Sequence, residues 1–372
     1  MGFCTTRKLL ALLAVLWLAI MCYLWFPNLF AGISFLQKKE TLLDSGIYRA
    51  EAFQMARFNK TKLTKEDLIH VCITSDENTI GGMIALINSI DQHTKHPVMF
   101  HLVVDATSLG HLRSWIENSR LHDIMFEIKP FPEELVAGKI KVRGVRQELA
   151  RPLNYARYYL PQLFPDLHGR IIFIDDDAIV QGDLHDLYTM TIKPEHWALF
   201  AEDCTGSGKR VTMLQNVFSD YIDFKNKHVQ DANISPTACA FNTGVYVTDL
   251  DAWRKHNITQ KLEFWLVLNT KEEVYGNERG GGGSQPPMML VFHDKYTQLD
   301  PRWHVRYLGW TRGTSYTSSF LKQANLLHWN GMYKPWARRS QHAEIWDMYF
   351  IPDPMNKFVP VRRNRNISTK SQ

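Results

Sequence analysis

Residues 169–180, Gly-Arg-Ile-Ile-Phe-Ile-Asp-Asp-Asp-Ala-Ile-Val, restrict the fold more than any other stretch of this chain. Ile171–Ile174 is apolar at every position, which suits a strand covered by helices on both faces. Three carboxylates, Asp175, Asp176 and Asp177, follow at once, and Ala178, Ile179 and Val180 turn apolar again. Carboxylates that repel one another while being drawn into a core need a counter-charge, and a divalent cation supplies one. On an extended strand side chains alternate, so Asp175 and Asp177 are expected to point one way and Asp176 the other. Two hard oxygen ligands on one side suit Mn2+ or Mg2+, leaving Asp176 free for a hydrogen bond. Taken alone, the triplet is equally readable as an exposed acidic turn.

The flanking pattern supplies layers for such a strand. Leu68–Ile73 is a short apolar run, Val98–Val104 reads as a second strand, and Ile124–Ile128 as a third. Between them Ile80, Met83, Ile84, Ile87 and Ile90 recur at helical spacing, as do Leu109, Leu112, Trp115 and Ile116. Alternating strands and helices predict an α/β fold with a mostly parallel sheet. Ligands of such sheets collect beyond the carboxyl ends of strands, which directs attention to Thr74, Ser75, Asp76, Glu77 and Asn78 after the first run. With 45% hydrophobic residues the chain can bury a sizeable core. Its net charge of +5, without a Lys/Arg block outside the C-terminus, argues against a nucleic-acid partner.

The N-terminal segment is a different material. Leu9–Phe26 carries no charge; at about 1.5 Å per residue it nearly crosses a hydrocarbon core of about 30 Å, and continued to Leu36 it crosses easily. Arg7 and Lys8 precede it, and Tyr23, Trp25 and Phe26 gather at its far end as interfacial aromatics do. The competing reading is a cleaved signal peptide, but the run exceeds the usual core of about 7 to 15 residues and lacks a convincing small-x-small exit. Lys38 and Lys39 weaken the charge asymmetry without reversing it. The expected organisation is a cytoplasmic tail (1–8), a transmembrane signal anchor (9–36), a stem (37–66), one folded domain (67–355) and a basic tail (356–372). Such a chain is a single-pass type II protein of a Golgi or ER membrane with its domain in the lumen. N-glycosylation triplets at Asn59, Asn233, Asn257 and Asn366 gain meaning there, Asn233 being the poorest because Pro236 follows directly. Cys4 and Cys22 belong to the anchor and Cys72 to an apolar strand, so Cys204 with Cys239 is the expected disulfide.

A second constellation lies near the C-terminus, where Leu326 and Leu327 lead into His328, Trp329, Asn330, Gly331, Met332, Tyr333, Lys334, Pro335 and Trp336. An imidazole with two carboxylates is a reasonable Mn2+ set. Gly331 permits close backbone approach, and Lys334 ahead of a proline is a plausible phosphate contact.

Five segments then appear in order over residues 68–355: ITSDENTIGGMIALINSI, LNYARYYLP, IIFIDDDAIVQGDL, AFNTGVYVTDLDAWRKHNI and LLHWNGMYKPW. Together they resemble the retaining glycosyltransferases of family 8 and, within it, the glycosyltransferase 8 domain-containing group of animals. The resemblance implies a GT-A type nucleotide-sugar-binding domain, a UDP-sugar donor, and a hydroxyl acceptor on an unidentified glycan, protein or lipid. It makes Asp175, Asp177 and His328 the Mn2+ ligands, with Mg2+ as the alternative ion. It places Lys334 and Gly331 at the donor diphosphate, Thr74, Asp76 and Asn78 at the nucleoside, and Arg157 near the donor. Asp176 falls where the family contacts ribose or sugar, Asn242 and Gly244 on the floor of the sugar pocket, and Asp203 and Gln285 at the catalytic centre.

Two departures stand out. Where many members stack an aromatic on the base, this chain has Thr79, and such stacking is worth about 1–3 kcal/mol per base. Where many have a sugar-binding carboxylate after the glutamine, this chain reads Ser284-Gln285-Pro286-Pro287, preceded by the glycine run Gly280–Gly283. Retention needs either a protein nucleophile or same-face attack guided by the leaving phosphate. With Pro286 in place of a carboxylate, same-face transfer is the expected course. The rival expectations are a nucleotide-sugar-binding scaffold without turnover and a metal-dependent hydrolase. The hydrolase lacks the second His/Asp cluster of two-metal sites.

Overall fold

The computed structural model describes residues 50–60, 62–64, 67–143, 147–204, 216–276, 283–309 and 316–361. The chain divides into two compact units, 1–53 and 54–372. Of the first, only helical residues 50–53 are described; the second contains the sheet and its two cores. The expected tail and anchor, most of the stem, Gly280–Gly282, the triplet at Asn366 and the basic residues from 362 onward lie outside the described residues. Among the described residues no helix is long and apolar enough to cross a membrane. The last stretch of the expected stem is hydrogen-bonded to the domain: Gln54 Nε2 donates to the Asp123 carbonyl at 3.1 Å, and Arg57 Nη1 pairs with Asp91 at 2.5 Å.

The central sheet is built from seven strands, β1 (Ile69–Ser75), β2 (Val98–Val104), β3 (Met125–Pro130), β4 (Arg170–Ile174), β6 (Ala198–Glu202), β7 (Phe241–Asp249) and β8 (Tyr296–Gln298). Across the sheet they stand in the order β3-β2-β1-β4-β7-β6-β8. Strands β1 to β4 pair in parallel, as do β6 and β8, while β7 runs antiparallel between β4 and β6. A separate antiparallel pair joins β5 (Ala178–Val180) to β9 (Leu326–His328).

The all-apolar reading of β4 has a direct cause. Ile172 and Ile174 enter one core with Met83, Ile84 and Ile87 of helix α1 (Ile80–His93). Ile171 and Phe173 enter the core on the opposite face with Tyr246 and Trp253. The second core is closed by α2 (Ile258–Lys271) and α3 (Gln285–Phe292). A central strand with helices on both faces has no solvent side, so period-two alternation of polarity is lost.

Candidate functional site

The aspartate triplet differs from the extended strand expected of it. Strand β4 ends at Ile174 and β5 begins at Ala178, so residues 175–177 form a turn between two sheets. The separation of the side chains still follows: Asp175 and Asp177 face His328, while Asp176 interacts with the hydroxyls of Ser75 and Thr79. Burial, then the neighbouring Asp177 charge, push Asp176 well above the usual carboxylate range.

His328 arrives by strand pairing. In the β5–β9 register it stands opposite Ala178, and the next residue, Trp329, donates its backbone N–H to the Asp177 carbonyl at 2.9 Å. Its Nε2 lies 2.8 Å from Asp177 Oδ1 and 3.8 Å from Asp175 Oδ2. One ligand atom from each of the three residues falls within 4.8 Å of the others. Asp177 Oδ1 is buried, with His328 Nε2 as its close polar contact. A buried carboxylate oxygen beside an imidazole and a second carboxylate fits a hard or borderline divalent cation.

Fixed positive charge flanks this cluster. Lys334 Nζ pairs with Asp177 Oδ2 and donates to the Trp329 carbonyl at 3.1 Å. Burial opposes the charge on Asp177, but Lys334, then His328, outweigh it and hold the carboxyl well below the usual range. Arg157, on a 3-10 helix at Pro152–Tyr158, is buried over the Phe173 ring. It donates to Asp175 Oδ1 at 2.7 Å and to the Thr243 carbonyl at 2.8 Å. Asp175 N–H in turn bonds the Gly244 carbonyl at 2.7 Å, because the β4–β7 ladder continues one residue past Ile174. A Cβ on Gly244 would meet the His328 ring and sit 2.6 Å from Asp175 Oδ2. Gly244 therefore leaves room for the His328 and Asp175 side chains.

A cleft of about 510 Å³ opens from the cluster across the carboxyl edge of the sheet. On the β1 side it is lined by Thr74, Asp76, Thr79 and Arg151. Asp76 accepts the Asn78 N–H at 2.8 Å and is ion-paired with Arg151. Thr79 shares a 2.8 Å hydroxyl contact with Ser75 as α1 begins. Asn78 and Gly331 do not line the cleft. Asn78 is exposed, its N–H closing the turn on Asp76. Gly331 is buried, its N–H donating to the Leu308 carbonyl at 3.2 Å.

The opposite wall is built on an irregularity. Between β6 and β7 the register jumps from Phe200↔Tyr246 to Ala201↔Asn242, which turns the Asn242 segment toward the cleft. Asn242 Nδ2 donates to Gln285 Oε1 at 3.1 Å, joining β7 to the start of α3. Asp203 directly follows β6 and is buried. Its Oδ1 is ion-paired with Arg306 and its Oδ2 accepts from Asn216 Nδ2 at 3.0 Å, so both oxygens are engaged. Asn216 also bonds Tyr221, whose phenol burial pushes up to about 12.

The sequence model of the family described as Glycosyl transferase family 8 matches residues 70–340. Glycosyltransferase 8 domain-containing protein 1 of Bos taurus is 37% identical over 368 residues, 97% of this chain and 98% of that protein. Glycosyltransferase 8 domain-containing protein 2 of Homo sapiens is 40% identical over 297 residues, covering 79% and 85% respectively.

The chain belongs to glycosyltransferase family 8.

Among solved structures, the galactosyltransferase LgtC in complex with donor and acceptor sugar analogues superposes with a TM-score of 0.58 at 16% identity. That match covers 78% of this chain and all of LgtC. The bifunctional glycosyltransferase WbbM, in its apo structure, gives 0.55 at 18% identity over 79% of this chain and 51% of its own. These likenesses show the GT-A-like α/β fold.

Within this family member the structure adds site residues that sequence reading missed: Arg151, Asn216, Tyr221, His304, Arg306 and Tyr307. None lies in a recognisable motif. Arg306 and His304 come from Pro301-Arg302-Trp303-His304-Val305-Arg306, a stretch whose only signal is charge and imidazole amid apolar residues. Cys204 and Cys239 are disulfide-bonded and Cys72 is a buried free thiol. Asn59, Asn233 and Asn257 are exposed, each in the left-handed region with φ of 52°, 54° and 52°.

Proposed function

We propose that this family 8 member transfers a hexose or pentose from a UDP-sugar to a hydroxyl acceptor, with retention at the anomeric carbon. The observation carrying this reading is the Asp175, Asp177 and His328 cluster beside Lys334 at the mouth of the cleft. When bound there, Mn2+, or Mg2+ in its place, supplies Lewis acidity to the departing diphosphate. Lys334 contributes a point charge to the same leaving group, and Arg157 fixes the Asp175 carboxylate while adding its own positive field. Thr74 and Asp76 line the end assigned to the nucleoside, and Asn242, Gly244 and Gln285 the end assigned to the sugar.

Retention proceeds by same-face transfer. The anomeric C–O bond to the diphosphate breaks, the acceptor oxygen bonds the anomeric carbon on the vacated face, and the acceptor proton passes to the leaving phosphate. Asp203 serves this step as a structural anion, because Arg306 and Asn216 occupy its two oxygens. Pro286 supports a second reading, a luminal nucleotide-sugar-binding scaffold, since it removes a sugar-binding carboxylate of the family.

Purified domain with Mn2+, a panel of UDP-sugars and mixed glycan acceptors discriminates these readings. Transfer predicts Mn2+-dependent UDP release with at least one donor. Thermal stabilisation by UDP-sugars without release would replace the enzyme with the scaffold. Residues 9–36 anchor the chain in a Golgi or ER membrane as a type II protein, with glycans on Asn59, Asn257 and Asn366 and less efficiently on Asn233. Thr259 of the Asn257 triplet is buried, donating to the Tyr158 carbonyl at 2.6 Å, so modification there precedes folding. Full-length chain from secretory cells should lose mass on endoglycosidase treatment; a chain carrying no glycan would overturn the luminal placement.

A further inference from the structure

The imidazole offered to the cation is held at its other nitrogen by a second histidine. His304 Nε2 lies 2.9 Å from His328 Nδ1, both residues are 2% exposed, and their rings stack at 16° with centroids 5.1 Å apart. Backbone pairing sets this contact: Val305 N–H donates to the Leu326 carbonyl at 3.0 Å and His328 N–H to the Val305 carbonyl at 2.9 Å. This backbone strap between residues 301–305 and β9 brings the two rings together.

A neutral imidazole carries one N–H, so the shared contact couples the two tautomers. In the first arrangement His304 donates from Nε2. His328 then carries its proton on Nε2, facing Asp177 Oδ1 at 2.8 Å. In the second, His328 donates from Nδ1 to His304 Nε2, which frees the His328 Nε2 lone pair toward Asp175 and Asp177. His304 then carries its proton on Nδ1, a buried atom without a hydrogen-bond partner among the described residues. Without a cation the first arrangement wins, since a lone pair aimed at a carboxylate is repulsive and the His304 Nδ1–H is left unmet. A cation reverses the balance.

We propose that His304 is a positioning residue that accepts the His328 Nδ1–H and thereby selects the metal-ligating tautomer of His328 when a divalent cation enters. The assignment rests on Asp175, Asp177 and His328 being a cation site. Metal-bound histidines commonly give their second N–H to a carboxylate, carbonyl or water. Here the acceptor is an imidazole, whose own second nitrogen makes the ligating tautomer conditional on the ion.

The test measures Mn2+ affinity by calorimetry for wild type, His304→Leu and His304→Gln, with metal-free melting curves as controls. Loss of a partner of this kind costs roughly 10- to 100-fold in metal affinity, which is the expectation for His304→Leu. His304→Gln, whose amide oxygen can accept the same N–H, should regain most of that loss. In wild type, nitrogen-15 NMR should show His328 passing from the Nε2–H to the Nδ1–H tautomer on adding Mg2+. Equal Mn2+ affinity in wild type and His304→Leu overturns the role of His304 while leaving the cation site standing. No Mn2+ binding by wild type overturns the cation site and this role with it. Should His304→Leu fail to fold, a His328 ring already in the Nδ1–H form before Mg2+ addition overturns the proposal.

Discussion

Asp177→Asn is expected to abolish the proposed Mn2+-dependent UDP binding and to lower any transfer rate by at least about 100- to 1000-fold, the scale of losing one electrostatic group at a developing charge. The asparagine matches the aspartate in shape, so the lesion is charge. Asp177 Oδ1 faces His328 Nε2 and Oδ2 holds Lys334, which makes this carboxylate the hinge of the cluster. A neutral amide leaves the Lys334 ammonium without its anion and offers a cation one weaker oxygen. Asp175 cannot compensate, because Arg157 already draws on its Oδ1. Calorimetric Mn2+ titration and UDP release read the two effects separately, and a retained near-ultraviolet spectrum shows that the fold survives. Unchanged Mn2+ affinity in the variant would remove the metal assignment altogether.

The second large effect is on stability. Arg306→Ala should cost about 3–5 kcal/mol, the usual penalty for leaving one member of a buried ion pair without its partner. Asp203 and Arg306 are 6% and 7% exposed, and Arg306 Nη2 also donates to the Glu202 carbonyl at 2.6 Å. The arginine therefore ties the end of β6 to the segment that leads into His304. Removing it strands the Asp203 charge in the wall of the cleft, where Asn216 offers only a neutral amide. Asp203→Asn combined with Arg306→Ala should be less destabilising than the sum of the single changes, because the stranded charge is then gone. Urea unfolding of the three variants measures this coupling. A cost below about 1 kcal/mol for Arg306→Ala would place the pair in the exposed class, and Asp203 would then be free to act as a nucleophile.

The legible parts of the fold were those that local periodicity encodes. Ile80, Met83, Ile84, Ile87 and Ile90 define α1 because a helix with a buried face repeats every 3.6 residues whatever it packs against. Ile171–Ile174 reads as a central strand because a strand covered on both faces tolerates no polar position. In the site, Asp175 and Asp177 were legible because three adjacent carboxylates beside a core demand a counter-charge. Asn78 and Gly331 carry the family pattern but stand outside the cleft lining, because whether a residue faces a cleft depends on the turn that carries it. Arg306, His304 and Asn216 were not legible, since each acts through a partner at least 13 residues away in sequence.

Sequence by itself therefore determined the α/β layering, the acidic triplet, the His328 to Lys334 segment and membership of a sugar-transferring family. Only the tertiary structure decided that β5 pairs with β9, which carries His328 across 151 residues of chain to Asp177. It likewise decided that a register jump beside β6 aims Asn242 inward, and that Asp203 is locked by Arg306. The physical reason is one of range. Propensity and burial period act over a few residues and leave a trace in every window, whereas a hydrogen bond or ion pair between distant segments constrains two residues and leaves the intervening sequence unmarked.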